Sequence, residues 1–401
     1  MSNRLLLVLL VVFLVNCSSR QSQQIPNHIQ QLDSLTSYPA DAQPARDIKL
    51  AKDVTYRDTS QVMFGPMIRG VEVDEQGQVY LLDFRQNKIH VFAGNGSFRK
   101  SMKVSGRGPG ELIMPWQMRA TNNQLHLLGY VQQKISVFDA QTLEHIQDVP
   151  VGISEKTGTE PSWMSWAQKN QFSYRPITFF VHPDGNYFIF FGDEDVGSGR
   201  NLSDRTYEVS LYDLSVQQYV QYDLLSFDWT GQMMAAEVGD GMRFTPDTPY
   251  IRSSQFDFAN GRLVQGWTDD FLFKFYDEQG NYQRAIYYPF EKVPLIEEKA
   301  LSHHRLLGVQ EAVRNDTLPH SWPAFNSVVM DDQGRLWVST FTEDPNMYKW
   351  LVLESSGKLL AEFNWPARRK LQEVQGGFAY TLERNPQTGL QKVMRYRFEI
   401  N

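Results

Sequence analysis

"DIKLAKDVTY", residues 47–56, reads as a β-strand that belongs to no hairpin. The other end of the chain poses the matching problem, because "QKVMRYRFEI" (391–400) is a strand with no return before Asn401. Between them one pattern recurs six times, a short β-run, a tight turn and a second, aromatic-rich β-run. The copies are "VDEQGQVYLLD" (73–83), "TNNQLHLLGY" (121–130), "HPDGNYFIFF" (182–191), "FANGRLVQGW" (258–267), "MDDQGRLWVST" (330–340) and "VQGGFAYTLE" (374–383). Their turns hold Gly, Asp and Asn, the residues that tolerate the positive φ of a two-strand reversal. A second β-rich unit follows each hairpin. The first five, such as "KISVFDAQTLEHIQD", carry two strands; the sixth carries one.

The two deficits fit each other. If 47–56 completes the last sheet, six four-stranded sheets close into a ring and the aggregation-prone open edge disappears. The expected fold is therefore all-β, a six-bladed β-propeller closed by an N-terminal strand, over residues 46–401. In such a ring, connections from the second to the third strand, and from the fourth strand to the next blade, share one face. Every long connection is of that kind: 105–117, 152–176, 192–206, 228–252, 291–323 and the smaller 342–347. Long loops on one end of a rigid scaffold are where binding residues belong. "PLIEEKALSHHRLLGVQEAVRND", starting at Pro294, has apolar residues at roughly helical spacing and is expected to form one helix packed over part of that face.

"SGRGPGELIMP" (105–115) lies in the first long connection, expected near the central channel. Pro109 presets φ and Gly110 can adopt the positive φ of a type II turn, so Pro-Gly is first a backbone device. Glu111 can accept hydrogen bonds from amides the turn frees or pair with Arg107, and Arg107 is also a candidate ligand contact. The other candidates for ligand binding on this face are Trp116, Trp163, Trp166, Arg175, Trp229 and Arg243, aromatics and arginines being the usual anchors of interfaces and flat rings also stacking on sugars. For any one of them, packing of a long loop on its blade is the competing role.

Composition narrows the function classes. With 46 acids against 39 bases the formal charge is −7, so no field draws the chain to nucleic acid. The one cysteine, Cys17, leaves neither a disulfide nor a cysteine zinc site within the chain. It follows an apolar run, Leu5–Val15, that is too short to span a bilayer and suits an export signal over residues 1–17. Residues 18–45, rich in Gln, Ser and Pro, are expected as a flexible tether.

Leu14-Val15-Asn16-Cys17 resembles the lipobox of bacterial lipoproteins, with Asn16 in place of the usual small residue. With "GRGPGE" after the first blade and six blades in all, the chain resembles the six-bladed propeller lipoproteins of Bacteroides-type bacteria, NHL-like in architecture. That resemblance implies acylation of Cys17, attachment to a membrane of the envelope, most readily the outer membrane, and no reaction. Asp33-Ser34-Leu35 and Asp316-Thr317-Leu318 resemble the O-glycosylation sequence of such bacteria.

Enzymes of this fold place metal-binding carboxylates, Asn or His at the channel mouth. The nearest candidate is Asp193-Glu194-Asp195 in "GDEDVGSGR" (192–200), a solvated acidic loop by its spacing. His303 and His304 are adjacent and diverge on a helix, and no nucleophile-elbow, P-loop or zincin pattern occurs. No catalytic residue, metal site or cofactor is assigned. The expectation is a non-catalytic envelope protein that binds a protein, peptide or glycan on its insertion-rich face. A metal-dependent hydrolase or lyase at the channel mouth is the alternative. "ARRK" (367–370) is read as a solvated strand edge.

Overall fold

The computed structural model describes residues 25–153, 160–169, 173–192, 205–229, 236–238, 242–244, 248–304 and 306–401. Cys17 and the lipobox, Asp193–Asp195 and Arg200 lie outside them.

Local chemistry explains the repeated turns. In the blade-one hairpin the Asp74 carboxylate accepts the amides of Gln76 and Gln78 with one oxygen and the Tyr80 hydroxyl with the other, at 2.9 Å. Asp331 does the same in blade five for Gln333, Arg335 and the Trp337 indole. Gly77 and Gly334 stand at φ +77° and +73°, where a side chain would be strained. An Asp opening the turn, a Gly three residues on and an aromatic six residues on are thus one hydrogen-bonded unit.

Each hairpin extends into a four-stranded antiparallel sheet in chain order. The blades span 68–103, 115–150, 175–228, 254–287 and 327–366, and blade six combines 369–400 with Ile48–Tyr56. That last strand pairs antiparallel with Gln391–Ile400 from Ile48 opposite Ile400 to Tyr56 opposite Val393, with a bulge at Asp53. The bulged Asp53 carboxylate takes the Arg395 guanidinium at 2.6 Å. The protein is a six-bladed β-propeller, closed by the strand at its N-terminal side as the sequence leads one to expect.

The core is built between sheets rather than within one. Tyr80, Leu82 and Val91 of blade one pack on Met118, Leu125 and Phe138 of blade two. Equivalent clusters join every following pair of blades. The circle closes where Tyr56, Tyr380 and Val393 of blade six meet Val71, Val79 and Phe92 of blade one. The closing strand therefore supplies apolar area to two sheets at once, each buried large side chain contributing roughly 1.5–3 kcal/mol.

Two elements differ from the sequence expectation. Residues 25–45 do not form a free tether: Asn27–Gln30 is a helical turn, and Leu35–Ser37 pairs parallel with Tyr282–Tyr287 as a fifth strand of blade four. Ile29 is fully buried against Leu272, Ala285 and Tyr287, with Ile25, Leu32 and Leu35 packed around it, so a few apolar residues in a polar stretch anchor the segment. The insertion 291–323 forms two helices, Glu297–Ser302 and Leu307–Asn315, rather than one. The chain breaks at His304, whose carbonyl accepts the Gln310 side-chain amide at 2.7 Å. The break lets Ala300, Val309 and Val313 all pack with Trp322 and Phe341, while Leu307 is exposed.

Candidate functional site

Strand order alone places the described residues between the end of each blade and the start of the next on one face, with the loops that join second to third strands. On this face, at the inner ends of blades one to three, aromatic rings and guanidinium groups alternate. The Arg69 guanidinium lies 3.2 Å from the ring centre of Trp116, and its Nε donates to the Trp116 carbonyl at 2.9 Å. Trp116 meets Phe84 edge-on at 6.0 Å and Tyr130 at 4.9 Å, and Arg175 covers Tyr130 at 4.9 Å. Arg69, Trp116 and Arg175 lie at the start of the innermost strands of three successive blades, while Phe84 and Tyr130 directly follow second strands. All five are half-buried. Met67 and Met114, which accept the Phe84 and Tyr130 amides through their carbonyls, are exposed beside the row.

Of the residues singled out in the sequence, the structure brings Trp116 and Arg175 together here, through Tyr130. The others lie apart. Trp163 is buried in the helix Ser162–Lys169 against Tyr174 and Phe191, the loop-packing role. Trp166, one turn on, is partly exposed. Trp229 stacks on Tyr207 at 4.8 Å with Arg205 above it. Arg243 belongs to the short strand Met242–Phe244, paired with Ala236–Val238, and its side chain lies outside the described residues.

The "GRGPGE" turn is not at the channel. Gly110 has φ +72°, as its Pro-Gly sequence requires, and approaches the His145 and Phe138 rings on the two outer strands of blade two. Its amide faces the Asp148 carboxylate at 3.3 Å. Burial alone would raise Asp148, yet Lys134 at 2.7 Å, Ser136 at 2.6 Å and this amide hold its carboxyl below the ordinary range. Glu111 folds back to accept the Gly108 amide at 2.8 Å, and the Gln132 side chain clamps the carbonyls of Gly106 and Glu111. Glu111 thus supports the turn, and Arg107 is exposed on the periphery rather than at the channel mouth. The physical reason is that the connection leaves the outermost strand of blade one and crosses the outer part of blade two before reaching its inner strand.

Below the aromatic row the channel wall carries charges that sequence reading missed. Glu72, Arg119, Asp257 and Glu373 sit on the innermost strands of blades one, two, four and six. Glu72 accepts Arg119 at 3.0 Å and the Ala120 amide at 3.2 Å, and Asp257 accepts the Met330 amide at 2.6 Å, so each ties neighbouring blades together. Arg119 also covers the Phe180 ring at 4.9 Å. Burial raises Glu72 despite the attraction of Arg119, and burial pushes Asp257 up to about 6 against two backbone N–H donors. Glu373 is raised well above the ordinary carboxylate range, by burial first and then by the charges of Glu72 and Asp257. The signal was present: Glu72 lies between Val71 and Val73, and Asp257 between Phe256 and Phe258, a carboxylate at an inward position of an otherwise apolar strand. Among the described residues no group of three or more Asp, Glu, His or Cys is placed to hold a metal ion.

Residues 66–174, which cover blades one and two and lead into blade three, match a protein-family model, DUF5128, described as a 6-bladed beta-propeller. Among solved structures, a protein of Bacteroides fragilis NCTC 9343 described as exported is 10% identical over 92% of this chain and 100% of its own, with a TM-score of 0.52. A member of the duf4221 family from Bacteroides vulgatus ATCC 8482 is 13% identical over 89% of this chain and 99% of its own, with a TM-score of 0.55. At these identities the likeness is one of fold. No curated protein matches the sequence.

Proposed function

We propose that this propeller is a binding module of the cell envelope, held to a membrane by acyl chains on Cys17. It takes a peptide, protein or glycan on the insertion-rich face over blades one to three and leaves it chemically unchanged. The observation that carries this reading is the row Phe84, Arg69, Trp116, Tyr130, Arg175, in which ring faces and guanidinium groups from three blades meet beside exposed methionines. Rigid aromatic surface costs little conformational entropy to bury, and guanidinium groups held on rings are preorganised donors.

The test is a titration of the chain lacking residues 1–17 with panels of oligosaccharides and peptides, read by tryptophan fluorescence. A ligand is expected to change emission in the native protein and in Trp163→Phe, and to lose both that change and at least about tenfold in affinity, a cost of about 1.4 kcal/mol, in Trp116→Phe/Arg69→Gln. Retention of the response in the double variant would contradict the site.

A second reading, hydrolysis or elimination at the channel mouth, draws on Glu373. Burial and the neighbouring carboxylates Glu72 and Asp257 raise its carboxyl above the ordinary range, the direction a general acid needs. Turnover that Glu373→Gln abolishes and Trp116→Phe spares would favour it.

A further inference from the structure

Two residues of the sequence run "ARRK", Arg368 and Arg369, line a cavity of about 460 Å³ at the blade-six end of the insertion-rich face. The cavity is bounded by three connections: from blade five into blade six, between the second and third strands of blade six, and from the closing strand into blade one. Five cations line it, Arg57, Arg368, Arg369, Arg384 and Lys392.

Among the described residues two carboxylates line it with them, and both are occupied. Asp58 accepts the Phe64 amide at 2.8 Å. Glu383 accepts the Tyr396 hydroxyl at 2.7 Å and sits between Arg369 at 3.4 Å and Lys392 at 3.5 Å. Arg384 spends its Nε on the Gly389 carbonyl at 3.0 Å. Arg57 and Arg368 are exposed and have no partner among the described residues. Arg369 is braced from behind, its guanidinium 5.3 Å from the Trp365 ring centre and its carbonyl accepting the Trp365 indole at 3.2 Å.

In a chain whose formal charge is −7, five cations gathered on one cavity against two committed acids form a local exception. Gathering like charges costs energy unless an anion occupies the space between them. We propose that this cavity binds a small molecule bearing two or more negative oxyanion groups, carboxylate or phosphate. Arg369 and Lys392 are set by Glu383, and Arg57 and Arg368 close on the ligand from the rim. A guanidinium pairs with either oxyanion through two parallel hydrogen bonds, and the volume admits a ligand the size of a tricarboxylate or a sugar phosphate. This site is independent of the aromatic row, shares no residue with it and stands whether or not that row binds.

The experiment is calorimetric titration of the chain lacking residues 1–17 with citrate and, separately, pyrophosphate, which carry several carboxylates and two phosphate groups respectively, at matched ionic strengths set by sodium chloride. One or both are expected to bind with one-to-one stoichiometry, weakening as salt rises. The arm with the tighter Kd identifies the oxyanion. Arg57→Gln/Arg368→Gln removes two exposed, unpartnered groups and so preserves the fold; it is expected to raise Kd at least about tenfold, about 1.4 kcal/mol. Arg99→Gln, an equal loss of charge per site on the outer strand of blade one, is expected to leave Kd unchanged. Absence of binding by both probes, or equal weakening by the two variants, would overturn the proposal.

Discussion

At the scale of single residues, three substitutions separate structural from functional roles. Gly110→Ala places a Cβ 2.9 Å from the His145 ring at a backbone φ of +72°. It is expected to cost about 1–3 kcal/mol in denaturant unfolding; an unchanged midpoint would remove the turn from the account. Glu373 holds its proton more tightly folded than unfolded, so its contribution to stability declines as pH rises above the ordinary carboxylate range toward its raised folded value. Glu373→Gln is therefore expected to raise Tm at pH 7.5 by roughly 2–4 °C per kcal/mol relieved and to leave Tm unchanged near pH 4. Equal shifts at both values would mean that channel charge is not the cause. Sequence made the turn legible, because Pro109-Gly110 and a hydrogen-bonding Glu111 act on their own neighbours. It could not make the aromatic row legible beyond Trp116 and Arg175, because Arg69 and Phe84 of blade one meet Trp116 and Tyr130 of blade two only when the ring forms.

At the scale of elements, the hairpins of blades one and five were readable because the Asp-to-aromatic hydrogen bond is completed within seven residues, in Asp74–Tyr80 and Asp331–Trp337. The docked segment 25–45 was not, since its attachment rests on scattered apolar contacts such as Ile29 and Tyr38 and on three backbone pairings to a strand some 250 positions away, as Leu35 opposite Ala285 illustrates. The split of the 291–323 helix was equally hidden: its cause is a Gln310 contact and the position of Trp322. These elements make a graded prediction. A chain beginning at residue 46 is expected to fold, with a stability lower by about 1–3 kcal/mol for the lost burial of Ile29 and its neighbours. A chain beginning at residue 57 is expected to aggregate, because it loses Tyr56 from the joint between blades six and one and exposes the full edge of Gln391–Ile400. Circular dichroism melting and size-exclusion chromatography check both; a well-folded monomer from residue 57 onward would contradict the role given to the closing strand.

At the scale of the whole molecule, closure and orientation are one fact. Because the last blade borrows its outer strand from the N-terminal side, the chain enters and leaves the ring at one blade, and alternation of strands sends every long connection to the same face. The aromatic row over blades one to three and the cationic cavity at blade six then share that face, while the opposite face carries short turns such as 74–78 and 331–335. The proposed anchor precedes the docked segment 25–45. Cys17→Ser is expected to move the protein from the membrane to the soluble fraction; retention at the membrane would end the lipid-anchor reading. The most direct test of the ring itself is a cross-link. In a Cys17→Ser background, Ala51→Cys and Arg397→Cys place thiols at opposed, exposed positions of the closing pair. Mild oxidation is expected to give complete intramolecular bridging in the monomer and a stability gain of about 2–4 kcal/mol. Free thiols after oxidation, or bridges formed only between chains, would contradict the closed propeller and with it the common face.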